Sequence, residues 1–375
     1  NGEYIAPLKW NREPFFTIDK DVAICGQDPS KTLIKPTQRI YAKWSDDEND
    51  VWVESAFRVD HGVNFILRNV TLDLSKAFLC DFVIDSNGKL DAENCKFTGR
   101  IRSAGGGNFK NCTFSSRNYY GSGIWNMNGR SNIMKCTFTG NENGNSGIIN
   151  GKDALCTTSD CKFTKNQNDK LFVPDHGYNP LFGLFWDEGS PGVFSPIVNE
   201  GSCTVTNSMF INNTLREGGA IRNIEAGKIT IKSCDFTGNV ATGDKNDKMV
   251  SKGGSISNSG VMSVLNSNFV NNSARIVKGV SNSYGGAISN QKQATCRIFN
   301  CNFTGNSAYY GGAISNEDTS VCEIAYNHLR DNPATYDAVY KSPRSQLSSG
   351  PNIMYDNADN DLGNHLIGDL DVSIE

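Results

Sequence analysis

Polar and apolar residues alternate over many short stretches of this chain. Lys228–Lys232 reads Lys-Ile-Thr-Ile-Lys, and Cys296–Ile298 follows the same alternation. A period of two predicts short β-strands that bury one face. The sequence shows no sustained helical period, while Gly-Gly pairs and Asn residues punctuate the strands as tight turns require. The pattern therefore predicts an all-β fold of short strands and turns.

A repeat organises these strands. The clearest copy reads Cys-Asn-Phe-Thr-Gly-Asn over 301–306 and then Gly-Gly-Ala-Ile-Ser-Asn over 311–316. Each copy has a large apolar anchor, and the commonest anchor spacing is near 25 residues. The anchors are Leu72, Phe97, Phe114, Phe138, Phe163, Phe210, Phe236, Phe269, Phe303 and Leu329.

Stacked repeats of this length predict a right-handed parallel β-helix, a solenoid of about ten coils. The anchors are expected to fill its core. Asn stands three residues after most anchors and is expected to form an amide ladder between coils. A β-propeller is the rival repeat fold, but each of its blades needs about 40–45 residues and four strands.

The repeat covers about residues 65–332 and leaves segments at both ends. An open solenoid end exposes core and strand edges, which terminal caps protect. Residues 1–64 are therefore predicted to form an N-terminal cap, and residues 333–375 a C-terminal cap or a connector. The largest interruption within the repeat is an insertion at about 165–202.

The insertion at 165–202 is unusually aromatic. Clustered aromatic side chains mark binding surfaces, and insertions between repeats often lie on the binding side of a solenoid. One interpretation is a docking surface for a glycan or another subunit. The other is a loop that buries its aromatic residues against the flank of the helix. The candidate ligand- or partner-binding residues are His176, Tyr178, Phe182, Phe185 and Trp186.

Most of the twelve cysteines fall into two columns of the repeat. One column stands two residues before the anchor; it contains Cys234 and Cys301, and Ser267 takes the same place in another copy. Exchange with Ser favours small, buried free thiols. Stacked disulfides between adjacent coils remain the alternative. Cys25 and Cys80 lie outside both columns and could pair with each other or with another chain.

The pairing of Gly-Gly-Ala-Ile with Phe-x-x-Asn resembles the repeats of the chlamydial polymorphic outer membrane proteins. It also resembles those of the adhesin-like proteins of methanogenic archaea. Full copies of the glycine motif stand at 218–221, 253–256, 285–288 and 311–314. Both groups have the pectin-lyase-like architecture. The resemblance implies a right-handed parallel β-helix that is secreted or exposed at the cell surface and works by adhesion or assembly.

The sequence indicates no site for catalysis or metal binding. Enzymes of the pectin-lyase-like class need paired carboxylates, or a basic residue with calcium. No Asp-Asp or Asp-x-Asp pair falls within the repeats, and the four His are not at metal-ligand spacing. Calcium is considered only for Asp356–Asp361, which lacks the Gly and Glu of a calcium loop. We therefore predict no catalytic residue and no metal or cofactor, with calcium at Asp356–Asp361 as the alternative.

The expected partners are surface glycans, other protein subunits, or a second copy joined end to end. The net charge is −4, with both signs interspersed and no basic run, which argues against nucleic acid. No apolar stretch reaches the roughly 18 residues of a transmembrane helix, so no membrane span is expected. No signal peptide is visible, and the start at Asn1 predicts a processed or excised chain.

Five sequons are candidate sites of Asn glycosylation. Two of them begin at Asn69 and Asn111, three residues before an anchor, where a ladder would direct the side chains inward. The other three begin at Asn212, Asn271 and Asn302, which are predicted to point outward. These three are the preferred candidates.

Taken together, the features favour a non-enzymatic extracellular structural or adhesive protein. It would be either a surface adhesin or the subunit of a surface filament or sheath. The alternative is a polysaccharide lyase or glycoside hydrolase of the pectin-lyase-like class, with a cleft walled by the loop around Trp186. The observation that separates them is an exposed groove with two or more carboxylates within about 5–10 Å, as glycoside hydrolysis requires.

Overall fold

The structure of the protein is a computed structural model. It describes residues 4–5, 16–35, 53–73, 80–115, 122–140, 147–167, 195–243, 250–276, 282–355 and 357. The chain divides into two compact units, Asn1–Ser202 (unit 1) and Cys203–Glu375 (unit 2). Within the described residues every element is a β-strand.

Three sheets form unit 1. Sheet 1 contains Tyr4–Ile5, Leu33–Lys35, Thr71–Leu72, Lys96–Phe97, Thr113–Phe114, Thr137–Thr139 and Lys162–Thr164. Sheet 2 contains Phe16–Ile18, Val53–Val59, Cys80–Ser86, Arg100–Ser103, Gly123–Asn126, Ile148–Asn150 and Ile197–Asn199. Sheet 3 contains Val22–Cys25, Asn64–Arg68, Lys89–Glu93, Gly107–Lys110, Arg130–Met134 and Leu155–Ser159.

Unit 2, described by itself, has three long sheets of the same kind and two smaller ones. Its sheet 1 contains Met209–Ile211, Asp235–Thr237, Asn268–Val270, Asn302–Thr304, His328–Arg330 and Ile353–Tyr355. Its sheet 2 contains Ile221–Asn223, Ile256–Asn258, Ile288–Asn290, Ile314–Asn316 and Val339–Lys341. Its sheet 3 contains Ser202–Thr206, of which only Ser202 belongs to unit 1, Lys228–Lys232, Val261–Leu265, Thr295–Phe299, Val321–Ala325 and Gln346–Ser349. Sheet 4 contains Thr214–Leu215, Val240–Ala241 and Ser273–Ala274, and sheet 5 contains Ser251–Lys252, Ser283–Tyr284, Ala308–Tyr310 and Ala334–Tyr336.

In both units the chain visits sheet 2, then sheet 3, then sheet 1, and returns to sheet 2 one strand further on. Equivalent residues pair directly in parallel, as Phe138 does with Phe163 in unit 1 and Ile288 with Ile314 in unit 2. Connections between neighbouring parallel strands are right-handed with few exceptions. The predicted fold class, a right-handed parallel β-helix, is confirmed.

The anchor residues form the core, as predicted. In unit 1, the rings of Phe138 and Phe163 stack with centroids 4.7 Å apart and an interplanar angle of 4°. In unit 2, Phe236 stacks on Phe269 with centroids 4.6 Å apart. These spacings match the distance of about 4.8 Å between strands, because each coil contributes one ring. Offset aromatic stacking adds to the burial energy of such columns.

The Asn residues that follow the anchors form the predicted amide ladder. In unit 2, Asn239 Nδ2 donates to Asn272 Oδ1 at 3.0 Å, and Asn272 Nδ2 donates to Asn306 Oδ1 at 2.9 Å. Asn306 Nδ2 donates to Asn332 Oδ1 at 2.9 Å. All four side chains are fully buried. Buried amides need such partners, so the ladder ties each coil to the next.

A second amide ladder is formed by the Asn that ends each strand of sheet 2 after the glycine motif, and the sequence pattern did not predict it. Asn223, Asn258, Asn290 and Asn316 end consecutive strands of sheet 2 in unit 2. Their side chains are fully buried and bond in series at 2.7–2.8 Å from Nδ2 to Oδ1. The final Asn of the motif therefore joins coils, as the Asn after the anchor does.

A single left-handed residue makes the turn from sheet 3 to sheet 1. These residues have φ between 49° and 59° and are Asn69, Asn94, Asn111, Lys135, Asp160, Asn207, Ser233, Asn266, Asn300 and Tyr326. Asn predominates because it tolerates this conformation better than most residues with a Cβ. The next residue and the anchor three residues after the turn then point inward, as Cys301 and Phe303 do after Asn300.

The Gly-Gly pair makes the entry to sheet 2. Gly285 has φ +61, a conformation that favours glycine. A Cβ on the next residue, Gly286, would collide with the carbonyl oxygen of Gly312 in the adjacent coil. The first glycine is thus needed for its backbone angle and the second for close approach of two coils.

Coils extend beyond the predicted limits of 65 and 332. In unit 1, Leu33–Lys35 pairs with Thr71–Leu72, and in unit 2 Ile353–Tyr355 pairs with His328–Arg330. The described parts of both segments that we expected to act as caps therefore continue the stack. Ile34 and Met354 take the anchor column there without the Phe-x-x-Asn phrase, so the sequence pattern missed them. Capping by the remaining parts stays a prediction.

The cysteine columns are buried, and their thiols are free. Cys136 Sγ donates to the carbonyl of Met134 at 3.4 Å and accepts the backbone N–H of Cys112 at 3.4 Å. In the other column, Cys296 and Cys322 are register partners whose Sγ atoms lie 2.6 Å apart. Cys25 is exposed. In the described part of the chain, no helix is long and apolar enough to span a membrane.

Candidate functional site

Unit 2 carries a cluster of charged and amide side chains on the outward face of sheet 2. Glu217 and Lys252 each stand directly before a Gly-Gly pair, and Gln291 and Glu317 each follow a Ser-Asn. Because the coils stack in register, these four positions from successive coils converge around the outward residue Ser257 of sheet 2. We call Glu217, Lys252, Ser257, Gln291 and Glu317 the outer polar cluster.

Glu217 lies at one side of the outer polar cluster and is only 6% exposed. Its Oε1 accepts hydrogen bonds from Ser257 Oγ at 2.6 Å and from Gln291 Nε2 at 2.6 Å. Its Oε2 is 3.4 Å from Nε of Arg222, which is partly exposed. Both carboxylate oxygens are therefore engaged by donors.

Glu317 lies at the other side of the cluster and is 5% exposed. Its Oε1 accepts hydrogen bonds from Ser289 Oγ at 2.6 Å and Ser315 Oγ at 2.8 Å. Its Oε2 is 2.8 Å from Lys252 Nζ. This carboxylate, too, has donors on both oxygens.

Lys252 and Gln291 connect the two carboxylates. Lys252 Nζ donates to Gln291 Oε1 at 2.6 Å, and Gln291 Nε2 donates to Ser257 Oγ at 2.9 Å. The Lys252 ammonium also lies 5.4 Å from the centroid of the Tyr284 ring. The result is a continuous chain of ion pairs and hydrogen bonds from Arg222 to Glu317 across four coils.

The electrostatics of Glu217 keep it ionised. Burial would raise its pKa, but Arg222, the hydrogen bonds from Ser257 and Gln291, and the charge of Lys252 together hold the pKa below the ordinary value of 4.5. A buried carboxylate with this set of partners stays an anion at neutral pH. Glu217 is therefore not a proton donor in the resting molecule.

The two carboxylates are close together. Ser257 and Ser289, which donate to Glu217 and Glu317, are register partners on adjacent strands, so they lie about 4.8 Å apart. Each serine is in hydrogen-bond contact with its carboxylate, which places the two carboxylates within about 10 Å of each other, inside the range of glycoside hydrolysis. The repeat pattern does not reveal this pair, because its members are 100 residues apart and stand in two different columns that flank the glycine motif.

A column of tyrosines borders the cluster in sheet 5. Tyr284, Tyr310 and Tyr336 stack with centroids 4.9 and 4.7 Å apart. Burial, with a smaller contribution from the Glu317 charge, raises the pKa of Tyr284 to about 12. Tyr340 lies against this column, tilted, 4.8 Å from Tyr310. The phenol rings form the wall of the cluster on this side.

The aromatic candidates from the sequence analysis belong to the insertion at 165–202. His176, Tyr178, Phe182, Phe185 and Trp186 lie outside the described residues, so their role in ligand or partner binding stays a prediction. The calcium candidate Asp356–Asp361 lies outside them too, apart from Asn357. Among the described residues, no group of three or more His, Cys, Asp or Glu is arranged to hold a metal ion.

The glycosylation candidates are exposed. Asn212, Asn271 and Asn302 all have exposed side chains, and Asn302 Nδ2 donates to Asn268 Oδ1 at 2.8 Å. Asn111 is exposed as well, so the inward direction expected for it is wrong. Its left-handed backbone at φ 53 turns the side chain to the surface. Glycosylation itself stays a prediction for each site.

The chain was compared with protein-family models, with curated proteins and with solved structures, and none of them matches.

Proposed function

We propose that the protein is a non-enzymatic structural or adhesive β-helix that works outside the cell, at its surface. The observation that carries the proposal is that the buried polar side chains bond to other parts of the protein. The buried Asn residues of both ladders bond to the coils beside them, as Asn272 does to Asn306 and Asn258 to Asn290. The two carboxylates of the outer polar cluster, Glu217 and Glu317, have all four oxygens engaged by protein donors.

Polar side chains that bond to one another between coils stabilise a scaffold, but they are not what a hydrolase needs at its active site. Catalytic carboxylates must reach the substrate and exchange protons with it. Glu217 and Glu317 are each less than a tenth exposed, and the pKa of Glu217 is lowered, whereas a general acid needs a raised one. The cluster thus acts as a tie across four coils. The resemblance of the repeats to surface adhesins supports the same proposal.

The proposed partners are surface glycans or other subunits, including copies of the chain joined end to end. Electron microscopy of the purified protein over a range of concentrations tests assembly. Regular fibres that appear as concentration rises would identify a filament or sheath subunit. A strictly monomeric protein that binds members of a glycan array would identify an adhesin. A monomer that neither assembles nor binds any glycan would contradict the proposal.

A polysaccharide lyase or glycoside hydrolase is the second candidate, and the proximity of Glu217 and Glu317 favours it. Its test is release of unsaturated or reducing sugar from a panel of uronic-acid and neutral polysaccharides. Activity that disappears in Glu317→Gln but persists in the exposed control Glu225→Gln would replace the structural proposal with this one. We expect no release from any polymer.

A further inference from the structure

The hydrogen bond between Lys252 and Gln291 also brings the lysine amine close to the carboxamide carbon of Gln291. Lys252 Nζ is 2.6 Å from Gln291 Oε1. Adding one C=O bond length places Nζ within about 3.8 Å of the carboxamide carbon Cδ, close to the separation of reacting atoms in a near-attack arrangement. The amine is thus held beside an electrophilic carbon.

The amide orientation of Gln291 is fixed by its partners. Its Nε2 donates to two acceptors, Glu217 Oε1 at 2.6 Å and Ser257 Oγ at 2.9 Å. Its Oε1 faces an ammonium, which can only donate. The reverse orientation would place NH₂ against NH₃⁺, so the nitrogen points to Glu217 and the oxygen to Lys252.

We propose that Lys252 and Gln291 become joined by an isopeptide bond within the folded protein. Glu217 and Glu317 would carry the protons. Glu317 Oε2, 2.8 Å from Lys252 Nζ, takes one proton from the ammonium, and the free amine attacks Cδ of Gln291. The inference does not depend on the proposed function, because the reaction is internal to the chain.

The rest of the reaction balances without any co-reactant. In the tetrahedral adduct, one hydrogen of Nζ passes to the leaving nitrogen, with Glu217 Oε1 as the relay in contact with that nitrogen. The Cδ–Nε2 bond breaks, ammonia departs, and the proton held by Glu317 leaves with it as ammonium. An ammonium and a carboxamide thus become a secondary amide and an ammonium ion.

The surroundings favour this reaction over hydrolysis. Gln291 is 5% exposed, and Glu217 and Glu317 are nearly as buried, so little water reaches Cδ. Well-oriented groups inside a protein react with effective concentrations of about 10⁵ M or more, which offsets the low reactivity of an amide. Lys252 precedes the strand Ile256–Asn258, and Gln291 follows the adjacent strand Ile288–Asn290, so the bond would join two neighbouring coils covalently.

Mass spectrometry of the reduced, denatured full chain tests the proposal, with the protein produced in a host that does not glycosylate it. The expected mass is lower than the polypeptide mass by one ammonia. Because Asn-Gly sites also lose ammonia, tandem spectra must locate the loss in a branched peptide that joins Lys252 to Gln291. Unmodified peptides that contain Lys252 and Gln291, with no branched peptide, would overturn the proposal.

Variants separate the proposal from other chemistry. Lys252→Arg and Glu217→Gln should abolish the branched peptide while circular dichroism reports folded protein. Lys292→Arg is the matched control; Lys292 Nζ lies 2.8 Å from Glu225 Oε1 at an exposed site, so this variant should retain the cross-link. A branched peptide that joins Lys252 to Glu317, with loss of water, would also overturn the assignment to Gln291. Persistence of the Lys252–Gln291 link in Glu217→Gln would remove Glu217 from the reaction.

Discussion

The amide ladder makes a quantitative prediction at Asn306. The side chain of Asn306 is fully buried and takes part in four hydrogen bonds. It accepts from N–H and Nδ2 of Asn272, and it donates to the carbonyl of Phe269 and to Asn332 Oδ1, all at 2.9–3.0 Å. Asn306→Ala removes all four at once and leaves buried groups of both neighbours without their partner.

The magnitude follows from the number of bonds. Each buried hydrogen bond contributes about 1 kcal/mol net, so Asn306→Ala should lower the free energy of unfolding by about 3–5 kcal/mol. Asn302→Ala, four residues earlier, is the control. Its only side-chain hydrogen bond that we describe is the exposed one to Asn268, and surface changes of this kind usually stay within about 0.5 kcal/mol.

Urea denaturation followed by circular dichroism measures both variants. A solenoid can unfold in parts, so hydrogen exchange at the Asn272 amide should be measured beside it. This amide donates to Asn306 Oδ1 in the intact ladder and should exchange much faster in Asn306→Ala. If Asn306→Ala and Asn302→Ala differ by less than about 0.5 kcal/mol and the Asn272 amide stays protected, the ladder does not stabilise the fold as argued.

Three further predictions concern the core, the glycine motif and pH. Phe236→Ala should lower the free energy of unfolding in urea by about 3–5 kcal/mol, because it leaves a cavity in a stacked column of rings. The control Met209→Ala changes a partly exposed position and should lower it much less. Equal losses in the two variants would contradict the assignment of Phe236 to the core. Gly285→Ala should lower stability by at least about 1–3 kcal/mol, since alanine avoids φ +61, and an unchanged urea midpoint would argue against this backbone. The lowered pKa of Glu217 contributes stability that is present above its ordinary value of 4.5 and is lost as pH falls through the lower folded value. The free energies of unfolding of wild type and Glu217→Gln should therefore converge as the pH falls below the folded pKa of Glu217. A constant difference between the two proteins across this pH range would refute the lowered pKa.

The sequence predicted what recurs in every coil. Phe236 and Phe269 stand in the same place of successive copies, so their stacking followed from the register alone. Asn272 and Asn306 are equally regular, and their ladder followed too. A repeat period specifies neighbours directly, because equivalent residues of a parallel β-helix meet.

What the sequence could not predict lies at positions that change from coil to coil. Glu217, Lys252 and Tyr284 occupy one column before Gly-Gly, and Gln291 and Glu317 occupy another after Ser-Asn. Neither column has a consensus, so neither appeared in the repeat phrase. Aligning the flanks of the motif would have shown Glu and Lys stacked in adjacent coils. The side-chain rotamers that place Gln291 between them depend on three-dimensional packing, which the repeat register does not specify.

The ladders also bear on how such chains evolve. The side-chain bonds of Asn306 reach Asn272 and Asn332, the equivalent residues of the coils beside it, and Phe269. Within the ladder of unit 2, loss or duplication of one whole coil would therefore give each Asn an equivalent neighbour, since one Asn replaces another. The outer polar cluster is different, because its members differ from coil to coil, so the same change there would remove or repeat a partner that no other coil supplies.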